Sequence, residues 1–155
     1  GAAMTPVQIT QAKLADLDWL APLFDQYRQF YRQPENLDLA REFLEARLRL
    51  GDSVIFLAAT ERGPSGFVQL YPVFSSTAPR PGRLWLLNDL FVAPAARGAG
   101  VGRALMERAV DHGIATGATG VFLQTARDNH QAQRLYQALG FQRDDLFLVY
   151  ERNLA

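Results

Sequence analysis

Three glycines at alternate positions, Gly98, Gly100 and Gly102, lie between a strand-like run ending in Leu90-Phe91-Val92 and a helix-like run that follows at once. The first backbone N–H groups of a helix have no partner within it, and the helix dipole adds partial positive charge there. Glycine lets those N–H groups approach an anion with no Cβ in the way. Arg97 and Arg103 flank the loop and bring charge-assisted donors. The segment therefore reads as a cradle for a phosphate or pyrophosphate, with Arg97, Gly98, Ala99, Gly100, Val101, Gly102 and Arg103 as its candidate residues.

Two nucleotide-binding readings of the loop fail on their residues. A phosphate loop of the nucleotide-hydrolase type ends in Gly-Lys-Ser/Thr, and Gly102-Arg103-Ala104 has neither the lysine nor the hydroxyl. A dinucleotide fingerprint requires Gly or Ala at its sixth position, which is Arg103 counted from Gly98 and Leu105 counted from Gly100. The strand that follows, Val121 to Thr125, also brings no acidic residue for a ribose.

The loop, read as Arg97-x-x-Gly100-x-Gly102, is similar to the Gln/Arg-x-x-Gly-x-Gly/Ala signature of the GNAT superfamily of N-acetyltransferases. The approach Leu87-Asn88-Asp89-Leu90-Phe91-Val92-Ala93-Pro94 resembles that family's strand before the loop. A second stretch, Asn129 followed by Ala132-x-x-x-Tyr136 and Gly140-Phe141, resembles the superfamily's second motif. The resemblance runs from Val7 to Arg152 and is specific in these two motifs.

It implies an acetyl-coenzyme A-dependent N-acetyltransferase working by direct attack of an amine through a tetrahedral intermediate. By the same resemblance, main-chain groups of Leu90, Phe91 and Val92 pair with the pantetheine arm, and an N–H there stabilises the oxyanion. The loop holds the pyrophosphate, Asn129 bonds the pantetheine region, and Tyr136 protonates the departing thiolate as general acid. A core tyrosine with a locally satisfied hydroxyl is the other reading of Tyr136. A non-catalytic acyl-coenzyme A sensor that keeps the loop without the chemistry is the alternative function.

The general base stays open. Related polyamine-type enzymes carry Glu where this chain has Asn88, and an amide cannot accept the proton. Asp89 is a carboxylate next door, but strand alternation turns it to the opposite face unless a bulge intervenes. A water held by Asn88 or by a backbone carbonyl is the remaining candidate. For the acceptor, the first two helices, their connection and the Phe74 to Gly82 loop are expected to form the site. Tyr27, Tyr31 and Asn88 are its candidate contacts, and a small amine, an amino acid or a peptide is its candidate occupant.

The rest of the chain fits a mixed α/β sheet of six or seven strands with two early and two late helices. Strands are expected at Val7–Thr10, Ser53–Ala59, Gly66–Tyr71, Arg83–Val92 and Val121–Thr125, then at Phe141 and Leu146–Tyr150. Helices are expected from Asp16 to Pro34, over Asp38–Leu50 with Leu39, Phe43, Ala46 and Leu50 inward, and over Gly100–Gly117 and Asn129–Leu139. Strands Arg83–Val92 and Val121–Thr125 are expected to be parallel and to splay, admitting the pantetheine.

Composition narrows the partners. With Lys plus Arg equal to Asp plus Glu at 16 each, the chain lacks the cationic excess of a general nucleic-acid binder. It has no cysteine and 2 histidines, which argues against a resident metal. His112 reads as a solvated residue of its helix, as do Glu42, Glu45, Arg47 and Arg49 of theirs. No apolar run suits a membrane span and no secretory signal is visible, so a cytoplasmic location is expected. Gly1-Ala2-Ala3 reads as a tag remnant before one domain over residues 4–155, and the apolar Leu146–Tyr150 strand suggests a homodimer.

Overall fold

The computed structural model describes residues 6–77 and 79–155, so the reading of Gly1–Ala3 lies outside the described residues. By contacts the chain divides into two compact units, residues 1–124 and 125–155.

The first unit is a sheet with helices on both faces. Its strands are β1 (Gln8–Gln11), β2 (Val54–Thr60), β3 (Gly63–Ser75), β4 (Gly82–Val92) and β5 (Gly120–Phe122), side by side in that order. The first four pair antiparallel and β5 joins β4 parallel, the mixed topology expected. Helices α1 (Leu17–Phe30) and α2 (Leu37–Leu50) share one hydrophobic core with β2, β3 and β4. Helix α3 (Val101–Ala115) lies on the opposite face, where its His112 meets Phe56 of β2 and Trp85 of β4. Burial on both faces explains why β2 reads as the continuous run Ile55-Phe56-Leu57-Ala58, all buried, rather than as an alternation.

The helix boundaries follow from their caps. Asn36, not Asp38, starts α2, its Oδ1 accepting from the Leu39 N–H at 3.1 Å. Gly51 ends it at φ 63°, its N–H donating to Arg47 O. The buried residues of α2 are Ala40 and Leu44, whereas Leu39, Phe43 and Leu50 are exposed. The inward face is thus rotated by one residue from the expected one, and α2 packs chiefly against α1. Phe43 still stacks on Phe24 at 5.4 Å from the rim of that interface. Strand β3 extends through Ser75, so the loop before β4 is shorter than expected.

The second unit contains α4 (His130–Ala138). Neither Phe141 nor Leu146–Tyr150 forms a strand, giving five strands among the described residues rather than six or seven. A β-favouring run becomes a strand only when a neighbour takes up its N–H and C=O groups, and Leu146–Tyr150 has no such ladder.

Candidate active site

Strand β4 carries the site, and a β-bulge at Asn88 shapes it. Gln69 of β3 lies opposite Asp89 and Leu70 lies opposite Leu87, so Asn88 is the extra residue on β4. Its consequence is visible in which helix each neighbour meets. Trp85 and Phe91 are six residues apart and would share a face in an unbroken strand. Trp85 instead packs on His112 of α3, while Phe91 packs on Tyr27 of α1. The bulge turns Asp89 toward the α1 side, the exception the alternation argument allowed for.

Asp89 is 7 % exposed and sits among donors. Gln69 Nε2 donates to its Oδ2 at 2.7 Å and Asn88 Nδ2 donates to its Oδ1 at 3.1 Å, and the Tyr27 phenol lies beside it. Ser53 Oγ donates to Gln69 Oε1 at 2.9 Å and fixes which way that amide points. Burial, with the Asp89 charge beside it, pushes the Tyr27 phenol well above the usual tyrosine range. Burial and the same carboxylate push Tyr71 up to about 12. Both tyrosines are therefore neutral donors near neutral pH and unsuited to be the base. Asp89 is the acceptor among them.

The sequence reading missed Gln69. Its signal was a lone amide in the apolar stretch Phe67-Val68-Gln69-Leu70, since a fully buried polar side chain needs a partner. Tyr31 lies edge-on to Tyr27 at 5.0 Å but is 60 % exposed, so it is not a core residue. Arg47 is not a solvated helix residue either. Its guanidinium lies over Phe43 and binds Asp52 at 3.1 Å.

Beyond the bulge, β4 stays paired with β3 through Val92 but has left β5. Its pairing with β5 ends at Leu86 opposite Phe122, while β4 continues to Val92. Among the described residues, the β5 side of Leu90, Phe91 and Val92 has no strand partner, the geometry a guest chain with amide groups can use. A tight 3-10 turn, Pro94–Ala96, leads into the glycine loop. Gly98 and Gly100 have φ of 84° and 79°, which side-chain-bearing residues rarely adopt. A Cβ at either position would meet nothing within 4 Å, so the loop opens onto free space. Gly100 caps α3 without a side-chain bond to the first-turn N–H groups. Donors, open space and the cation of Arg97 fit a pyrophosphate. Arg103 pairs with Glu107 at 3.0 Å, and Arg97 Nε donates to Val92 O at 3.3 Å with its guanidinium over Phe30.

His112 corrects the expectation of a solvated residue. Its ring lies 5.4 Å from Phe56 and 4.9 Å from Trp85, and Nε2 is buried without a partner. Burial, then the Arg108 and Arg83 charges, hold its pKa below the ordinary histidine value. It serves the sheet–helix packing.

In the second unit, Asn129 caps α4, its Oδ1 accepting from the Ala132 N–H at 3.3 Å. Tyr136 is half-buried on that helix, its ring 6.2 Å from Phe141.

Residues 20–141 match the Acetyltransferase (GNAT) family. The chain belongs to that family. It is 44 % identical over 148 residues to the "Uncharacterized N-acetyltransferase YhfO" of Bacillus subtilis (strain 168), covering 96 % of this chain and 98 % of that one. The crystal structure of a probable acetyltransferase superposes with a TM-score of 0.88 at 41 % identity, covering 96 % of this chain and 98 % of that one. An aminoglycoside N-acetyltransferase, AAC(6')-Iy in complex with CoA, superposes with a TM-score of 0.80 over 97 % of each chain. At 20 % identity that likeness concerns the fold alone. The protein is an acetyltransferase of the GNAT fold, and acetyl-coenzyme A dependence is typical of its family. Among the described residues, no helix is long and apolar enough to cross a membrane, and no group of three metal-ligating side chains occurs.

Proposed function

We propose that residues 4–155 act as one domain that moves an acetyl group from acetyl-coenzyme A to a primary amine of a small molecule, amino acid or peptide. The observation that carries this reading is the buried Asp89 carboxylate, set by the Asn88 bulge on β4 just before the unpaired Leu90–Val92 edge. Asp89 binds the incoming ammonium and accepts its first proton, leaving the amine lone pair free. Asn88 holds the carboxylate by its side-chain amide. Backbone groups of Leu90, Phe91 and Val92 align the pantetheine, and an N–H there meets the developing oxyanion. Gly98 to Arg103 and Arg97 hold the pyrophosphate. As the carbon–nitrogen bond forms and the carbon–sulfur bond breaks, the amine gives up its second proton and Tyr136 protonates the thiolate. The balance is one amide, one free thiol and one proton released per ammonium consumed. The roles of Tyr136 and Asn129 rest on the motif match.

The test is incubation with acetyl-coenzyme A and a panel of primary amines, following free thiol and the acetylated amine together. Equal amounts of both support acetyl transfer. Tight acetyl-coenzyme A binding with no turnover on any amine supports the sensor instead. Tyr136→Phe is expected to lower the chemical step by about 10²- to 10⁴-fold, and an unchanged step removes Tyr136 as the acid. The reading includes a homodimer, supported by the apolar run Leu146–Tyr150, which is 67 to 89 % exposed. Sedimentation of the intact chain at the mass of two copies supports it, and a monomer contradicts it.

A further inference from the structure

Acetyl transfer alone does not require the aromatic series that leads away from Asp89. Tyr27 lies beside Asp89 and meets Tyr31 edge-on at 5.0 Å, and Tyr31 meets Phe30 edge-on at 5.4 Å. Exposure rises along the series, from 7 % at Asp89 to 60 % at Tyr31 and 64 % at Phe30. Two neighbouring large rings this exposed contribute little to the core, and contiguous exposed apolar surface marks contact with a ligand or partner. The outer end of the series lies beside the glycine loop, because the Arg97 guanidinium sits 5.9 Å over the Phe30 ring. A strip of aromatic surface thus runs between the carboxylate that receives the amine and the loop that receives the cofactor.

The charges around the inner end are equally specific. The charged side chains acting on Tyr27 and Tyr71 are Asp89, Asp52 and Arg47. Arg47 is paired with Asp52 at 3.1 Å, and no ion pair to Asp89 occurs among the described residues. A single cation is favoured there. A carboxylate on the carbon that bears the amine would be placed next to the Asp89 carboxylate, and the two like charges repel.

We propose that the acceptor is a monocationic primary amine joined by a short chain to an aromatic ring, with no carboxylate beside the amine. Its ammonium meets Asp89 and its ring lies against Tyr31 and Phe30. Edge-to-face and offset packing with two rings provides selectivity of about tenfold over an alkyl chain. This inference rests on the acetyl-transfer reading and names the substrate class of the same site.

The experiment compares kcat/KM for 2-phenylethylamine, propylamine and phenylalanine at saturating acetyl-coenzyme A, by thiol release. We expect 2-phenylethylamine to exceed propylamine by about tenfold or more, and phenylalanine to be the poorest. Tyr31→Ala is expected to lower the 2-phenylethylamine to propylamine ratio by about tenfold, chiefly through KM, and Tyr31→Phe to restore it. The proposal is overturned if propylamine or phenylalanine matches 2-phenylethylamine, or if Tyr31→Ala leaves the ratio unchanged. Turnover of those amines with the wrong ranking sinks the aromatic acceptor and leaves acetyl transfer standing. Absence of turnover on every amine, with acetyl-coenzyme A bound, sinks both.

Discussion

Gln69 donates its side-chain amide to Asp89 at 2.7 Å from the neighbouring strand, and both residues are buried. The pair lies across the bulge, where β4 has one residue more than β3. Ser53 holds the other end of the amide, so the carboxylate is positioned by the sheet itself rather than by a loop. Sites built on strands hold their geometry more closely than sites built on loops.

Replacing Gln69 by Leu removes one donor from Asp89 and leaves Ser53 without its acceptor. We expect a stability loss of about 1 to 3 kcal/mol in denaturant titration, the usual cost of stranding buried polar groups. We also expect kcat/KM for the amine to fall by about ten- to a hundredfold from the misplaced carboxylate, with acetyl-coenzyme A affinity retained. A variant as active as the parent protein would show that Gln69 does not position Asp89.

Gly100→Ala tests the loop separately. The added methyl meets no atom within 4 Å, so the cost comes from φ 79°. About 1 to 2 kcal/mol of destabilisation is expected from that conformation, together with a higher KM for acetyl-coenzyme A. Thermal denaturation and isothermal titration report the two effects. Unchanged acetyl-coenzyme A binding in a folded variant would remove this loop as the pyrophosphate site.

The shape of the loop was legible in the sequence because its cause is local. Gly98 and Gly100 stand where φ is positive, and the helix starts immediately after them. The parallel joining of β4 to β5 was also legible, from the strand–helix–strand pattern, although β5 spans Gly120–Phe122 rather than the expected Val121–Thr125. What was hidden depends on partners distant in the chain. The bulge at Asn88 exists only in relation to β3, and so the face taken by Asp89 could not be settled from alternation. His112 read as exposed because Arg108 and Asp111 flank it on its own helix, whereas Phe56 and Trp85 come from two strands. The α2 face was displaced by one residue because Leu39 and Phe43 outrank Ala40 in hydrophobicity, while the face that packs against α1 is the one bearing Ala40 and Leu44. Leu146–Tyr150 has the composition of a strand, but pairing is a property of two segments, and composition reports on one.

His112 gives the fold a pH dependence of known sign. Burial and the Arg108 and Arg83 charges disfavour its protonated form, so its folded pKa lies below the unfolded value of 6.5. Below pH 6.5 the unfolded chain binds the proton more readily, and stability falls as the pH drops toward the folded pKa. Above that window the contribution is complete. Denaturant titrations at stepped pH should show this acid-side loss, flattened in His112→Phe. An equal slope in parent and variant would assign the pH dependence to other groups.

The most direct test of the central claim is the pH–rate profile of Asp89→Asn beside that of the parent protein, with acetyl-coenzyme A affinity measured in parallel. Asn keeps the shape but neither attracts an ammonium nor accepts its proton. The account predicts a fall in kcat/KM for the amine of about 10²- to 10⁴-fold, loss of one limb of the profile, and unchanged acetyl-coenzyme A affinity. A variant that keeps the parent profile and rate would contradict Asp89 as the group that receives the amine.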